Sequence, residues 1–238
     1  MAHDRFILEI SVADHLDHPK AMTRLPAESI RAKGPGRPTK AQAEARHELL
    51  LDRAFEIFLE KGFEQATIDG IAAAVHMTKR TVYARYEDKA ALFRAAVQRS
   101  VDRWIVPVET MRAVETDDLE ETLTAIARIR VESAMSPSGM RIQRILDAEA
   151  YQFPDISRLY YEQGTLPAIA YIAEVLERHA EAGAIRVEQP TLLGNAFLSL
   201  VVSGLARGAI WGAVLDEEEI EESIAFGVRL FLDGVRPR

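Results

Sequence analysis

GFEQATIDGIAAAVHMTKRTVYARYEDKAALF, residues 62 to 93, holds three helix starts in close succession. Thr67 stands directly ahead of Ile68, Ile71, Ala72 and Val75, whose spacing of three and four places them on one helical face. A threonine there accepts a hydrogen bond from the free N–H groups of the first turn. His76-Met77 interrupts that run after roughly two turns. Thr78 then offers a second cap, for a short helix predicted to end near Tyr86. Asp88 offers a third, for a helix whose apolar face is Leu92, Phe93, Ala96, Val97, Val101 and Trp104, with Pro107 near its end. Upstream, Leu51, Ala54, Phe55 and Phe58 show the same periodicity, and Gly62 is placed to close that helix.

A long helix followed by two short ones across a tight turn is the helix-turn-helix arrangement. Its second helix packs across its third, so the contact positions must be apolar or small. Ile71, Ala72, Val75 and Val82 meet that requirement. The third helix must present polar and basic side chains to a groove, and Thr78, Lys79, Arg80, Thr81, Tyr83 and Arg85 supply them. Thr78, Lys79, Arg80 and Arg85 are the candidates for base edges, since an arginine fork matches guanine O6 and N7.

The same residues resemble the N-terminal domain of the TetR family of transcription regulators. The family pattern falls on Thr67, Ile71-Ala72, Thr81-Val82-Tyr83, Tyr86, Lys89 and Leu92-Phe93, and the likeness covers residues 45–103 without a gap. It departs at His76, where the family often has glycine, and at Tyr86, where it usually has phenylalanine. Histidine is among the non-glycine residues enriched at positive φ, and the added hydroxyl of Tyr86 needs a partner. The resemblance implies phosphate contacts for Thr67, Tyr83 and Lys89, with Thr81 and Tyr86 completing the DNA face. It also implies a homodimer on a palindromic or pseudo-palindromic double-stranded operator, and a body whose pocket takes a small effector of unknown identity. Repression is the expected sign of action.

Charge agrees with a DNA-binding front. The chain carries a net charge of −8, yet residues 31–103 hold 14 Lys+Arg against 10 Asp+Glu, while residues 104–238 hold 12 against 22. Local field governs phosphate attraction, and total charge matters little. Residues 34–40, Gly-Pro-Gly-Arg-Pro-Thr-Lys, form a basic Gly/Pro arm that resembles minor-groove arms; in that reading Arg37 is the inserted side chain, and the alternative is a flexible basic linker. Residues 1–33 show no sustained periodicity and read as a disordered extension without a signal peptide; Met22 is a second candidate start. His15 and His18 beside Asp14 and Asp17 suggest a solvated tail, not a metal site, and the chain has no cysteine.

From Thr39 onward helical periodicity dominates and no strand is expected. The predicted fold class is all-α: a helix-turn-helix domain at 41–88 joined to a larger helical effector-binding and dimerisation domain at 89–238. Five further helices are expected near 118–135, 138–151, 155–182, 190–214 and 217–233, with a break or kink at Pro167. Gly204, Gly208 and Gly212 recur every four residues and, with Leu198, Val201, Val202 and Leu205 beside them and Ile224, Val228 and Phe231 on the next helix, are the predicted dimer interface. Trp104, Tyr151, Phe153, Tyr161, Tyr171, Phe197 and Trp211 are the pocket candidates. Residues 192–215 are long enough to span a bilayer, but Arg207, the glycines and the lack of flanking positive charge favour a buried helix and no membrane. No nucleophile, phosphate-loop or metalloprotease motif is present, so no enzyme, cofactor or metal is expected, and the setting is cytoplasmic. The rival readings are control by a partner protein and a ligand carrier or enzyme that uses the helical pocket.

Overall fold

The computed structural model describes residues 39–236. The chain separates into two units, Met1–Lys40 and Ala41–Arg238. All the described residues except Thr39 and Lys40 belong to the second unit. Arg37, the basic arm up to Pro38 and the N-terminal extension lie outside the described residues.

Twelve α-helices and two π-helical turns make up the described residues, with no strand among them. α1 (Lys40–Gln65) breaks at Gly62, whose φ of 74° lies in the region that glycine alone adopts freely. α2 (Ile68–Ala74), α3 (Lys79–Tyr83) and α4 (Lys89–Trp104) start at Thr67, Thr78 and Asp88, and each cap side chain accepts an N–H from the first turn. Local chemistry of this kind is legible in a sequence because it needs no distant partner.

Beyond Pro107 the chain forms α5 (Val108–Arg112), α6 (Leu119–Met135), α7 (Pro137–Glu149) and α8 (Pro154–Tyr160). A π-helical turn (Tyr161–Thr165) leads into α9 (Leu166–Glu181). Then come α10 (Pro190–Leu198), a second π-helical turn (Ser199–Ser203), α11 (Gly204–Ile210) and α12 (Glu217–Val235). The predicted kink at Pro167 takes the form of the π turn just before it. α5 is an addition to the predicted helices: Pro107 is its N-cap as well as the end of the preceding segment. α11 stops at Trp211, and Gly212 lies past its end with φ 91°. The glycine stripe is therefore shorter than the spacing suggests.

The helices enclose two apolar cores. The first joins Leu50, Phe55, Phe58 and Phe63 of α1 with α2, α3 and α4, and also takes Ile142, Ile145 and Leu146 from α7 and Phe153 and Ile156 from the α8 corner. Residues on both sides of position 88 thus share it. Phe153 is its hinge pin, with ring centroids 4.7 Å from Phe63 and 4.6 Å from Phe93. The second core is built from α5, α6 and α9 to α12 around Tyr171, Phe197 and Leu123. There Gly194 lets α10 lie close on α9, because a Cβ at that position would stand 2.8 Å from the Ile169 carbonyl oxygen. Among the described residues one helical stretch, Pro190–Ile210, is long and apolar enough to cross a membrane, but its Phe197, Leu198, Val201 and Leu205 pack into this second core.

Candidate nucleic-acid interface

The head begins with α2 and α3 crossing on Ile71, Ala72 and Val82, all of them buried. The turn between them is a Schellman closure: the Met77 N–H donates to the Ala72 carbonyl at 2.9 Å and the His76 N–H to the Ala73 carbonyl at 3.1 Å. This closure requires a left-handed residue at His76, which has φ 54° and is the only non-glycine residue with positive φ among those described. His76→Gly is therefore expected to raise stability by about 1 kcal/mol, less the extra freedom glycine gives the unfolded chain. A urea midpoint moves upward if so, and a downward shift shows that the imidazole makes a stabilising contact.

With α2 and α3 locked, one side of the head faces solvent. Thr67, Thr78, Lys79, Arg80, Thr81, Tyr83 and Arg85 are all at least partly exposed, and all but Thr67 and Thr78 lie on the open face of α3 and its C-terminal turn. Thr67 Oγ1 accepts from Gly70 N at 3.1 Å, so its hydroxyl both caps α2 and lies at the helix N-terminus. Thr78 Oγ1 likewise accepts from Thr81 N at 3.2 Å and lies 2.8 Å from Thr81 Oγ1. Lys79 Nζ donates to Asp69 at 3.0 Å and lies 5.9 Å from the Tyr83 ring centre. This hydrogen bond holds its pKa above the ordinary lysine value, and the pair also ties α3 to α2. Arg80 and Arg85 have no carboxylate in ion-pair reach among the described residues, and so remain free to meet an external anion.

Two candidates have another occupation. Tyr86 is half-buried, and its hydroxyl lies 2.5 Å from His47 Nε2 while the two rings stack. The partner its hydroxyl needs is thus inside the protein. Burial, followed by the charge of Arg85, holds the His47 pKa below its usual value.

Lys89 is a correction to the phosphate role. Its ammonium donates to the carbonyls of Phe63 at 2.7 Å, Glu64 at 3.0 Å and Ala66 at 3.1 Å, and sits 4.3 Å from the Phe63 ring centre. An ammonium has three N–H donors, and all three are used to cap the carbonyl end of α1, where positive charge is favourable. Spacing alone does not reveal this, because the carbonyls come from a corner 23 to 26 residues away. Lys89→Met is expected to cost about 1–2 kcal/mol, read as a lowered melting temperature. An unchanged melting temperature with weaker binding to every DNA sequence, and a salt slope smaller by about one, restores the phosphate role.

The head is fastened to the body at this same corner. Glu149 at the end of α7 accepts from Phe63 N at 3.0 Å, Arg94 pairs with Asp155 at 2.6 Å, and Arg141 pairs with Glu56. On the other side of α4, Arg99 and Arg103 pair with Asp52 of α1 at 2.8 and 2.9 Å.

The pocket candidates fall in separate places. Phe153 lies in the first core, and Tyr171 and Phe197 in the second. Trp104 is half-buried and stacks on Tyr160. Tyr151, Tyr161 and Trp211 are exposed. Tyr171 donates its hydroxyl to Glu115 at 2.6 Å, and burial followed by that carboxylate pushes its pKa up to about 12. An open groove beside α6, lined by Thr116, Asp118, Glu120, Glu121 and Arg128, receives none of the seven.

The predicted interface residues also divide. Leu198, Val201, Leu205, Ile224, Val228 and Phe231 are buried within their own chain, which removes them from the predicted interface as free surface. An amphipathic helix in a core has two apolar faces when it also meets a partner, and the sequence does not say which is which. The outward face of the same helices carries Leu192, Leu200, Phe226 and Leu230, all exposed; Val202 is half-buried and Gly204 is exposed.

A three-helix head with a solvent-facing basic third helix, fixed to an all-α body, defines a helix-turn-helix regulator. Residues 50–96 match the model of the bacterial regulatory proteins of the tetR family, and residues 121–234 match the AefR-like transcriptional repressor C-terminal domain. The HTH-type transcriptional repressor Rv1474c of Mycobacterium tuberculosis is 26% identical over 161 residues, 68% of this chain and 80% of that protein. A TetR-family regulator from Mesorhizobium loti shares the fold with a TM-score of 0.68 at 22% identity, across 84% of this chain and 100% of its own. The flavonoid-responsive regulator FrrA reaches a TM-score of 0.66 and 31% identity over 82% of this chain and 99% of its own. The chain belongs to the TetR family of transcription regulators.

Proposed function

We propose that this chain is a homodimeric repressor that holds a palindromic or pseudo-palindromic operator and is released from it by a small-molecule effector. The observation that carries the reading is the solvent-facing row Thr78, Lys79, Arg80, Thr81, Tyr83 and Arg85, in which Arg80 and Arg85 have no carboxylate in ion-pair reach among the described residues. The reading assigns base edges to Arg80 and Arg85 and backbone phosphates to Thr67 and Tyr83. Residues 41–88 are the reading domain and 89–238 the sensing and dimerising domain, with function divided there although the first core crosses the boundary.

Relatives named as repressors support the sign of action, and the responsiveness in the name of FrrA supports a small effector for a body of this kind. Release is a population shift: the effector favours the dimer whose two heads do not fit the half-sites. α4 is suited to carry it, because its first residue caps α1 while its last, Trp104, reaches into the body. The reading places the protein in the cytoplasm with DNA and gives it no catalytic role. Neither the carrier or enzyme alternative nor the partner-protein alternative gains a supporting observation.

Selection from a random DNA library tests the proposal, with an inverted repeat as the expected product. Arg80→Ala and Arg85→Ala are each expected to cost about 1–3 kcal/mol and to relax preference at one position per half-site. Enrichment of no sequence overturns the proposal.

A further inference from the structure

α6 carries a cation with no counter-charge. The Arg130 side chain is half-buried, its Nε is shut off from water without a hydrogen-bond partner, and no carboxylate lies in ion-pair reach among the described residues. Burial pulls its pKa below the usual arginine value, and the group acting on it is the phenol of Tyr160. That phenol is itself half-buried, and burial raises its pKa. Exposed arginines such as Arg80 and Arg85 also lack an ion-pair partner but are solvated, whereas Arg130 holds its unpartnered Nε inside the protein.

The surroundings are aromatic. The Tyr160 ring stacks on Trp104 with centroids 5.6 Å apart and planes 24° from parallel. The Trp104 indole donates to the carbonyl of Ser133, one turn beyond Arg130, at 3.0 Å. Directly after Tyr160 comes the π-helical turn Tyr161–Thr165, a feature that recurs at functional sites. Gly164 of this turn lies against the Tyr160 ring and Ile105. A half-buried charge with no counter-charge and an unsatisfied Nε costs free energy in the ligand-free protein, and apolar replacements of such groups often stabilise. A planar guanidinium matches a carboxylate through two parallel N–H···O bonds.

We propose that Arg130 is the anion-binding residue of the effector site, and that the effector is a flat aromatic molecule bearing a carboxylate. The carboxylate pairs with Arg130, and the ring system takes its place beside Trp104 as Tyr160 and the π turn behind it give way. The inference rests on reading the body as an effector-binding domain. It puts the site at the α4 end opposite Lys89, where displacement of Trp104 bears directly on the helix that holds the head.

The test pairs 2-naphthoate with 2-naphthamide, which share a shape and differ in charge, and follows melting temperature and Trp104 fluorescence in a Trp211→Phe background. That background leaves Trp104 as the sole indole of the two in the chain. The expected result is a concentration-dependent rise in melting temperature with naphthoate, and binding at least about tenfold tighter than naphthamide. Arg130→Met is expected to abolish that preference while melting at or above the wild-type temperature without ligand, and Arg130→Lys to restore part of it. An equal response to acid and amide, no response of the wild type to either, a preference that survives in Arg130→Met, or a ligand-free Arg130→Met that melts lower each overturns the proposal. No DNA enters this assay, so its failure is distinct from failure to bind an operator.

Discussion

Phe153→Ala is expected to unfold the protein at a much lower urea concentration than wild type, through a loss of about 3–5 kcal/mol. The ring is buried, lies edge-on to Phe63 and tilted on Phe93, and has the Arg94 guanidinium 5.1 Å from its centre. Truncation leaves a cavity where α8 meets α1 and α4, and the side chains around it belong to separate helices that cannot all collapse inward. Phe153→Leu keeps most of the volume and is expected to cost less than half as much. Because the residue joins head and body, the Ala variant is also expected to weaken operator binding. A midpoint within about 0.5 kcal/mol of wild type shows instead that the α8 corner is not part of the cooperative core.

The second large effect concerns assembly. Leu192, Ala196 and Leu200 recur every four residues and are exposed, and Phe226 and Leu230 do the same on α12. Leu200 lies near Gly227, the neighbour of Phe226: a Cβ on that glycine would stand 3.8 Å from Leu200 Cγ. These residues therefore border one surface, and a two-fold interface built on it uses each of them twice. Phe226→Glu combined with Leu230→Glu is expected to weaken the dimer on the order of 10³-fold, since like charges meet and are desolvated on association. Operator affinity falls with it, while the monomer keeps its melting temperature because both positions are outside its core. Sedimentation at micromolar concentration reads the outcome. A double variant that stays dimeric places the interface elsewhere.

How much is legible in the sequence depends on the range of the forces involved. Thr67, Thr78 and Asp88 cap the helices that their spacing predicts, and Gly62 breaks α1, because each needs only its immediate neighbours. His76 takes the left-handed turn position that a glycine usually fills. The exposed basic row on α3 is legible for the same reason, once the α2–α3 crossing has fixed its inward face.

Features that depend on distant partners are not legible in this way. Phe153 resembles a pocket residue because an aromatic beside a proline carries no mark of the core it enters. Lys89 resembles a phosphate contact because its three carbonyl partners arrive from the far end of α1. The sequence pattern does not show which face of α10 to α12 turns inward, since both faces are apolar and only the packing of α6 and α9 chooses between them. Arg130 leaves no signal in the sequence: one arginine in an amphipathic helix reads as solvated until its buried, unpartnered Nε is seen.

Operator recognition is tested most directly by fluorescence anisotropy of the full chain on DNA from immediately upstream of its own gene, with random DNA of equal length as control and both titrated over salt. The expected result is binding that exceeds the control by about 10³-fold or more, with a preference that persists as salt rises. Binding equal to the control on this DNA, together with no sequence enriched from a random library, contradicts sequence-specific regulation by this chain.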